Sequence, residues 1–276
     1  MPELPEVEVS RLGLLPHLPG QTVCDVIVRT PKLRHEIPPL LAQKLIGRRL
    51  DGIVRRGKYL LFDYESKGDG GWLILHLGMS GSLRLVPPGG SAPQKHDHVD
   101  LVFAHTRLRF RDPRRFGLLL WHEGADVEEH RLLKVLGLEP LSAAFNGAWL
   151  YQASAQRSGP IKPALMDSHW LVGVGNIYAA ESLFHAGISP LRAANRISLS
   201  RYQRLAGAIQ ETLHASIAAG GSSVRDYVHS DGGAGCYQLA CAVYDRAGQA
   251  CPVCRQAIKM IRQSGRSTFY CPHCQH

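Results

Sequence analysis

CPVCRQAIKMIRQSGRSTFYCPHC, residues 251–274, sets two C-x2-C pairs sixteen residues apart. Cys251 with Cys254 and Cys271 with Cys274 have zinc-ribbon spacing. Each pair puts two thiolates on a tight knuckle about 2.3 Å from one tetrahedral ion, and the stretch between them is long enough for a β-hairpin. A redox role is the competing reading, but it needs only one C-x-x-C and a βαβ context that is absent here. Four thiolates close the shell, so one structural zinc is expected, with no position for a catalytic water. His273 and His276 are spare ligand candidates and read as bystanders. The chain has seven cysteines in all, an odd number without a secretion signal, which argues against a disulfide framework. Cys24, Cys236 and Cys241 read as small packing residues.

Working outward from the ribbon, the chain changes texture twice. After Pro5, the residues Val7, Leu14, Leu15 and Leu18 share a helical face until Pro19-Gly20 stops the run. From there to about residue 121, short segments rich in β-branched, aliphatic and aromatic residues recur between turn residues. They fall at 22–28, 59–64, 72–77, 82–86, 99–103, 108–111 and 118–121, which predicts a β-sandwich or barrel, with residues 86–93 as a surface loop. Past Glu123 helices take over. Two are expected at 162–171 and 176–184, around Val172-Gly173-Val174-Gly175. Such a pair is either a helix-turn-helix unit whose amides grip phosphate or a plain αα-hairpin. Ser200 and Gln203 suggest a capping box ahead of the apolar face Tyr202, Leu205, Ile209, Leu213 and Ile217. Residues 222–235, rich in Gly, Ser and Asp, link the helices to the ribbon.

The 276 residues carry 32 Lys and Arg against 23 Asp and Glu, a formal charge of +9, which favours a polyanionic partner. Hydrophobic and charged fractions of 45% and 20% exclude a disordered or fibrous chain. No apolar run approaches the roughly 18 residues of a membrane span. The N-terminus holds Glu3, Glu6 and Glu8 before any Lys or Arg, the reverse of a leader peptide, so a cytoplasmic protein is expected. The positive charge is clustered. Arg107, Arg109, Arg111, Arg114 and Arg115 face only Asp112 locally; Arg55, Arg56 and Lys58 flank Gly57; the ribbon holds five cations and Asp245. A nucleic acid in a cleft between two domains accounts for all three clusters; a solvated basic face accounts for any one.

Met1-Pro2-Glu3-Leu4-Pro5-Glu6 opens the chain. Read structurally, it is an extended lead-in to a helix with Pro5 and Glu6 in the first turn. Read chemically, removal of Met1 frees a secondary amine at Pro2. The ordinary α-amino pKa of about 7.7–8.0 leaves part of it neutral and nucleophilic at pH 7. An amine at C1′ of a deoxyribose can displace the base and form an iminium, with Glu3 as general acid and base.

Eight blocks, in order, carry a resemblance over the whole chain. They are PELPEVE (2–8), RRGKYLL (55–61), HLGMSGSLR (76–84), KHDHVDL (95–101), DPRRFG (112–117), IKPALMD (161–167), GVGNIYAAESLF (173–184) and the closing cysteine pairs. The chain resembles the bacterial formamidopyrimidine-DNA glycosylase family. That resemblance implies a multidomain α+β fold: an N-terminal β-sandwich carrying the N-terminal helix (1–131), a helix-two-turns-helix domain (132–228) and a zinc-ribbon hairpin (242–276). It implies a cytoplasmic, nucleoid-associated monomer of base-excision repair. Its partner would be duplex DNA with oxidised purines, 8-oxoguanine and formamidopyrimidines, flipped out of the stack for excision and strand cleavage. By position, Pro2 is the Schiff-base nucleophile and Glu3 the proton donor. Lys58 assists β-elimination, Arg266 assists δ-elimination and Glu6 orders the site. Met79, Arg114 and Phe116 match the residues that fill the void left by the flipped base. His96, Asn176 and Tyr244 match phosphate-contacting or bracing residues. Ser158 stands where a basic DNA contact is common, with Arg157 beside it as substitute. The lid, residues 232–237 with Cys236, and residues 240–245 also depart from the usual pattern. The sister enzyme for oxidised pyrimidines is the nearest alternative; Leu4 and the Met79, Arg114 and Phe116 set favour the purine enzyme. A non-cutting damage-binding protein would not require Pro2, Glu3 and Lys58. A zinc-ribbon transcription factor would leave the β region unexplained.

Overall fold

The computed structural model describes residues 2–65, 70–221 and 241–276. The expected lid at 232–237, Cys236 and the 222–235 linker lie outside the described residues. The chain divides into two compact units. One takes residues up to 134 and the described part of 219–236; the other takes 135–218 and the described part of 237–276.

The first unit opens with helix α1 (Leu4–Leu14), then β1 (Val23–Val28), α2 (Leu41–Leu45), β2 (Arg49–Arg56), β3 (Tyr59–Glu65) and β4 (Gly71–His76). It continues with β5 (Ser82–Val86), β6 (Asp97–Phe103), β7 (Arg107–Arg111) and β8 (Leu118–Glu123). Two antiparallel sheets result, ordered β1-β6-β7-β5 and β2-β3-β4-β8. One apolar cluster joins them: Val26, Leu101 and Phe110 from the first sheet meet Ile53, Phe62 and Leu75 from the second, with Val7 and Leu14 of α1. The expected sandwich is present, and the N-terminal helix is part of its core.

Strand β2 escapes a pattern search for a physical reason. Its register shifts between Leu50 and Gly52, so the buried Leu50 and Ile53 fall three apart rather than alternating. Cys24, read as a packing residue, is instead exposed on β1, because its neighbours Val23 and Val26 take the buried positions.

The second unit holds α3 (Gly147–Ser154), α4 (Ile161–Leu165), α5 (Asn176–His185) and α6 (Leu199–Ala218), then the hairpin β9 (Lys259–Gln263) and β10 (Arg266–Tyr270). Helix α4 stops six residues before the expected end at 171. The Asp167 carboxylate accepts the His169 amide at 3.0 Å, a local turn that competes with helix continuation. The expected capping box is not formed: Ser200 and Gln203 lie inside α6, and Ser198 precedes it. The face Tyr202, Leu205, Ile209 and Leu213 is buried as the spacing requires. Cys241 is buried, as read. Ala180 and Phe184 of α5 share a small core with Val243, Ile258 and Phe269, which seats the ribbon on that helix. No helix among the described residues is long and apolar enough to cross a membrane.

Candidate active site and nucleic-acid interface

Helix α1 begins at Leu4, so Pro2 and Glu3 form its entrance, and both are buried. Glu6, wholly buried in the first turn, accepts the Glu3 amide at 2.7 Å. A carboxylate there is favoured by the orphan amides and dipole of the helix N-terminus. Gly221, with φ +81°, passes so close that a Cβ would lie 3.3 Å from the Glu6 side chain. The structure therefore brings Pro2, Glu3 and Glu6 into one buried corner.

Lys58 sits on the two-residue turn Gly57-Lys58 that joins β2 to β3, directly after the last strand pair Arg56–Tyr59. Gly57 takes φ +57°, which a side chain would resist. His76, packed against Tyr59 with the rings tilted and their centroids 4.8 Å apart, feels Lys58 electrostatically. Burial first, then the charges of Lys58 and Arg34, push the imidazole down to about 4. It is therefore neutral near pH 7, and its Nδ1 accepts the Gly78 amide at 2.9 Å.

Two loops carry Met79, Arg114 and Phe116, and they are welded to each other. Ser80 Oγ donates to the Asp112 carboxylate at 2.7 Å and accepts the Arg114 amide at 3.1 Å. Asp112, fully buried, also accepts the Gly117 amide at 2.8 Å. A Cβ on Gly78 would lie 2.4 Å from the Phe116 and Gly117 backbone, so the loops touch main chain to main chain. Arg115 is held at φ +56°, a conformation that side chains rarely adopt. The result is an exposed tip: Phe116 is 44% exposed, with the Arg114 guanidinium 5.0 Å over its ring. Met79 is half-buried beside them.

The four ribbon sulfurs lie within 4.8 Å of one another. Cys254 and Cys271 are 3.4 Å apart, and Cys251 and Cys274 3.9 Å. A tetrahedron with arms of about 2.3 Å has edges near ~3.8 Å, so the set fits one zinc ion. The exposed His273 and His276 are not in the cluster. Ser264 and Gly265, both with positive φ, turn β9 into β10 and leave Arg266 exposed at the start of the second strand.

The first 119 residues match the model for the formamidopyrimidine-DNA glycosylase N-terminal domain, residues 136–228 its H2TH domain, and residues 248–276 a zinc finger found in FPG and IleRS. The chain belongs to the formamidopyrimidine-DNA glycosylase family. It is 63% identical to the formamidopyrimidine-DNA glycosylase of Dechloromonas aromatica, over the whole of both chains. Its structure is similar to the MutM (Fpg) protein of Thermus thermophilus: TM-score 0.88, 39% identity, 99% of this chain and 98% of that one. It is similar too to wild-type Lactococcus lactis Fpg, solved in complex with DNA containing N7-benzyl-Fapy-dG: TM-score 0.90, 34% identity, 99% of each chain.

In this glycosylase the remaining predicted DNA-facing residues are spread over both units. His96 is half-buried just before β6, and its carbonyl accepts the Asp112 amide at 3.0 Å. Asn176 opens α5 and donates to the Ser267 carbonyl of the hairpin at 3.0 Å. Tyr244 packs edge-on against Phe269, and its amide donates to Glu181 at 2.8 Å. Arg157 is ion-paired with Asp167 at 3.1 Å and lies 4.8 Å over the Trp170 ring; Ser158 beside it is exposed.

Two residues that motif reading passed over organise this unit. Lys162, 1% exposed, donates to Asn176 at 2.5 Å and to Thr268 at 2.9 Å, pinning the hairpin that bears Arg266. Glu181 accepts the amides of Ala242, Val243 and Tyr244 at 2.7–3.0 Å, fixing the segment that enters the ribbon. Each lies inside a quoted block, IKPALMD or GVGNIYAAESLF, but its ribbon partners are some 60 to 106 residues away. The basic clusters also change meaning. Arg109 is buried in a two-pronged pair with Asp100 at 3.0 Å, Arg107 shares that carboxylate, and Arg111 pairs with Asp97. Arg55 pairs with Glu8, and Arg56 with Glu128. Only Arg114 and Arg115 of the first cluster form no ion pair among the described residues.

Proposed function

We propose that this chain is a bifunctional DNA glycosylase and AP lyase that removes 8-oxoguanine and formamidopyrimidines from duplex DNA and cleaves the strand by β,δ-elimination. The observation that carries the chemistry is the buried corner in which Pro2 adjoins the carboxylates of Glu3 and Glu6. With Met1 removed, the Pro2 nitrogen attacks C1′ as the C1′–base bond breaks; the departing base takes a proton from Glu3, whose carboxylate recovers one from the Pro2 N–H. Glu3 protonates the ring oxygen, the C1′–O4′ bond opens and an iminium forms. That cation acidifies C2′; loss of its proton expels the 3′ phosphate, with Lys58 assisting. A second elimination, in which Arg266 assists, expels the 5′ phosphate. Water then hydrolyses the remaining C1′=N bond, which frees the Pro2 amine, releases the sugar fragment as an aldehyde and leaves a one-nucleotide gap.

Arginine suits an orphaned cytosine because it offers several donors to one base edge, and Phe116 suits the gap because an apolar wedge offsets lost stacking. The zinc ion holds the ribbon fold and takes no part in the reaction. His96, Asn176, Tyr244, Arg157 and Ser158 are assigned to the phosphate backbone. The working division is 1–131, 132–228 and 242–276, in a monomer of the bacterial cytoplasm associated with the nucleoid.

Borohydride reduction during reaction with an 8-oxoguanine:cytosine duplex is expected to trap a covalent protein–DNA adduct. Absence of the adduct from a preparation lacking Met1 would remove the mechanism. An adduct formed only with thymine glycol would assign the chain to oxidised pyrimidines.

A further inference from the structure

Glu8 lies on α1, two residues beyond Glu6, and takes no part in the chemistry assigned above. Its half-buried carboxylate nevertheless accepts hydrogen bonds from two arginines. Arg11, one turn on, donates to it through Nε at 3.1 Å and Nη2 at 2.7 Å. Arg55 of β2 donates to it through Nε at 3.0 Å. Each arginine then reaches from Glu8 to main chain of the second sheet. Arg11 Nη1 donates to the Ile53 carbonyl at 3.2 Å, and Arg55 Nη1 to the Gly57 carbonyl at 3.1 Å. Gly57 is the residue immediately before Lys58.

We infer that Arg55 is a positioning residue: by bridging Glu8 to the Gly57 carbonyl, it fixes the Gly57-Lys58 turn against the helix that carries the Pro2 amine. This rests on the roles of Pro2 and Lys58 given under Proposed function. A two-residue turn with glycine in its first central position is held mainly by its flanking strand pair, and a lysine adds a long flexible stem. The elimination requires the ammonium of Lys58 to meet a sugar tethered to the Pro2 nitrogen. A planar guanidinium can bond two acceptors in fixed directions at once, whereas a lysine in its place offers one point charge. The side chain of Arg55 is only 11% exposed and is ion-paired with Glu8, so it is not a free phosphate contact. Burial opposes ionisation of Glu8, but the hydrogen bonds and charges of Arg11 and Arg55 outweigh it and hold the carboxyl below its ordinary range. The clamp is therefore charged throughout the neutral range.

The test is a double-mutant cycle on strand cleavage at a preformed abasic site, under single turnover with saturating enzyme so that affinity drops out. Wild type, Arg55→Gln, Lys58→Gln and the double variant are compared. Arg55→Gln is expected to slow cleavage by ~100-fold, the scale of an ångström-level misplacement. In the Lys58→Gln background the same change is expected to cost nothing further, because the group it positions is gone. An equal loss in both backgrounds, or wild-type cleavage by Arg55→Gln while Lys58→Gln is slow, overturns the clamp alone. Wild-type cleavage by Lys58→Gln overturns the assigned role of Lys58, and the clamp with it. If Arg55→Gln does not fold, Arg55→Lys is read in the same cycle; it keeps the charge but cannot span both acceptors.

Discussion

Asp112 shows how much one side chain decides. Its carboxylate is fully buried, yet no cation pairs with it among the described residues; its charge is carried by neutral donors from Ser80, Arg114 and Gly117. Those donors hold the loop whose tip presents Arg114 and Phe116. Asp112→Asn replaces one acceptor oxygen with an NH2 that faces amide donors, leaving buried groups unmatched. A cost of about 2–3 kcal/mol is expected in urea unfolding, within the range for hydrogen bonds to charged groups. A fall in excision from 8-oxoguanine:cytosine duplexes should exceed any fall in β-elimination at a preformed abasic site. Equal losses on both substrates would mean that Asp112 serves the sandwich rather than the tip. This role was not legible in DPRRFG: the motif marks the tip by family register, but Ser80, its partner, lies 32 residues away across the sheet.

At the level of elements, the sequence was most readable where burial is one-sided and least where charges are buried. Strand β5 falls at residues 82–86, as its apolar residues between turn residues predict, and α5 begins at Asn176 directly after the glycine turn. Strand β2 was hidden by its bulge, and α4 was overestimated because Asp167 turns the chain. Strands β6 and β7 follow from the apolar segments of the sequence, but the network between them does not. Arg109 counts from sequence as one of a basic cluster facing only Asp112, because its pairing with Asp97 and Asp100 is a property of strand register. In the fold Asp100 is opposite Arg109. Burial disfavours its charge, but hydrogen bonds from Arg29 and Arg109 prevail and keep its pKa below the ordinary Asp value. Asp100→Asn would leave the buried Arg109 guanidinium with the neutral Ser91 carbonyl and, as its remaining carboxylate among the described residues, Asp97 at 3.6 Å, at a cost of about 3–5 kcal/mol near pH 7. The folded pKa is depressed, so this contribution is complete above the unfolded value near ~3.9 and is lost as pH falls through the folded one. The stability curves of wild type and variant, followed by urea midpoint, should therefore converge only in strong acid. Parallel curves down to pH 3 would refute the pairing.

Over the whole molecule, the formal +9 overstates the charge available to a nucleic acid. Four thiolates on one dication carry a net charge of −2, which halves the +4 counted for the ribbon when its cysteines are taken as neutral. Of the five arginines at 107–115, three are ion-paired within the fold, sharing the carboxylates of Asp97 and Asp100 from the neighbouring strand. The cations left to meet phosphates are fewer and more localised than the composition suggests, and this can be measured. Each phosphate neutralised by a cation releases condensed counterions, so the slope of log affinity against log salt for B-DNA falls by roughly 0.9 per contact. Arg266→Gln, at an exposed hairpin position, should weaken binding evenly across duplex sequences and reduce the slope by about 1. Arg111→Gln, which removes a cation already held by Asp97 at 3.3 Å, should leave the slope unchanged. Both variants lose one formal charge, so a simple net-charge effect predicts equal changes. Different slopes would show that pairing within the fold, rather than composition, sets which arginines DNA can use.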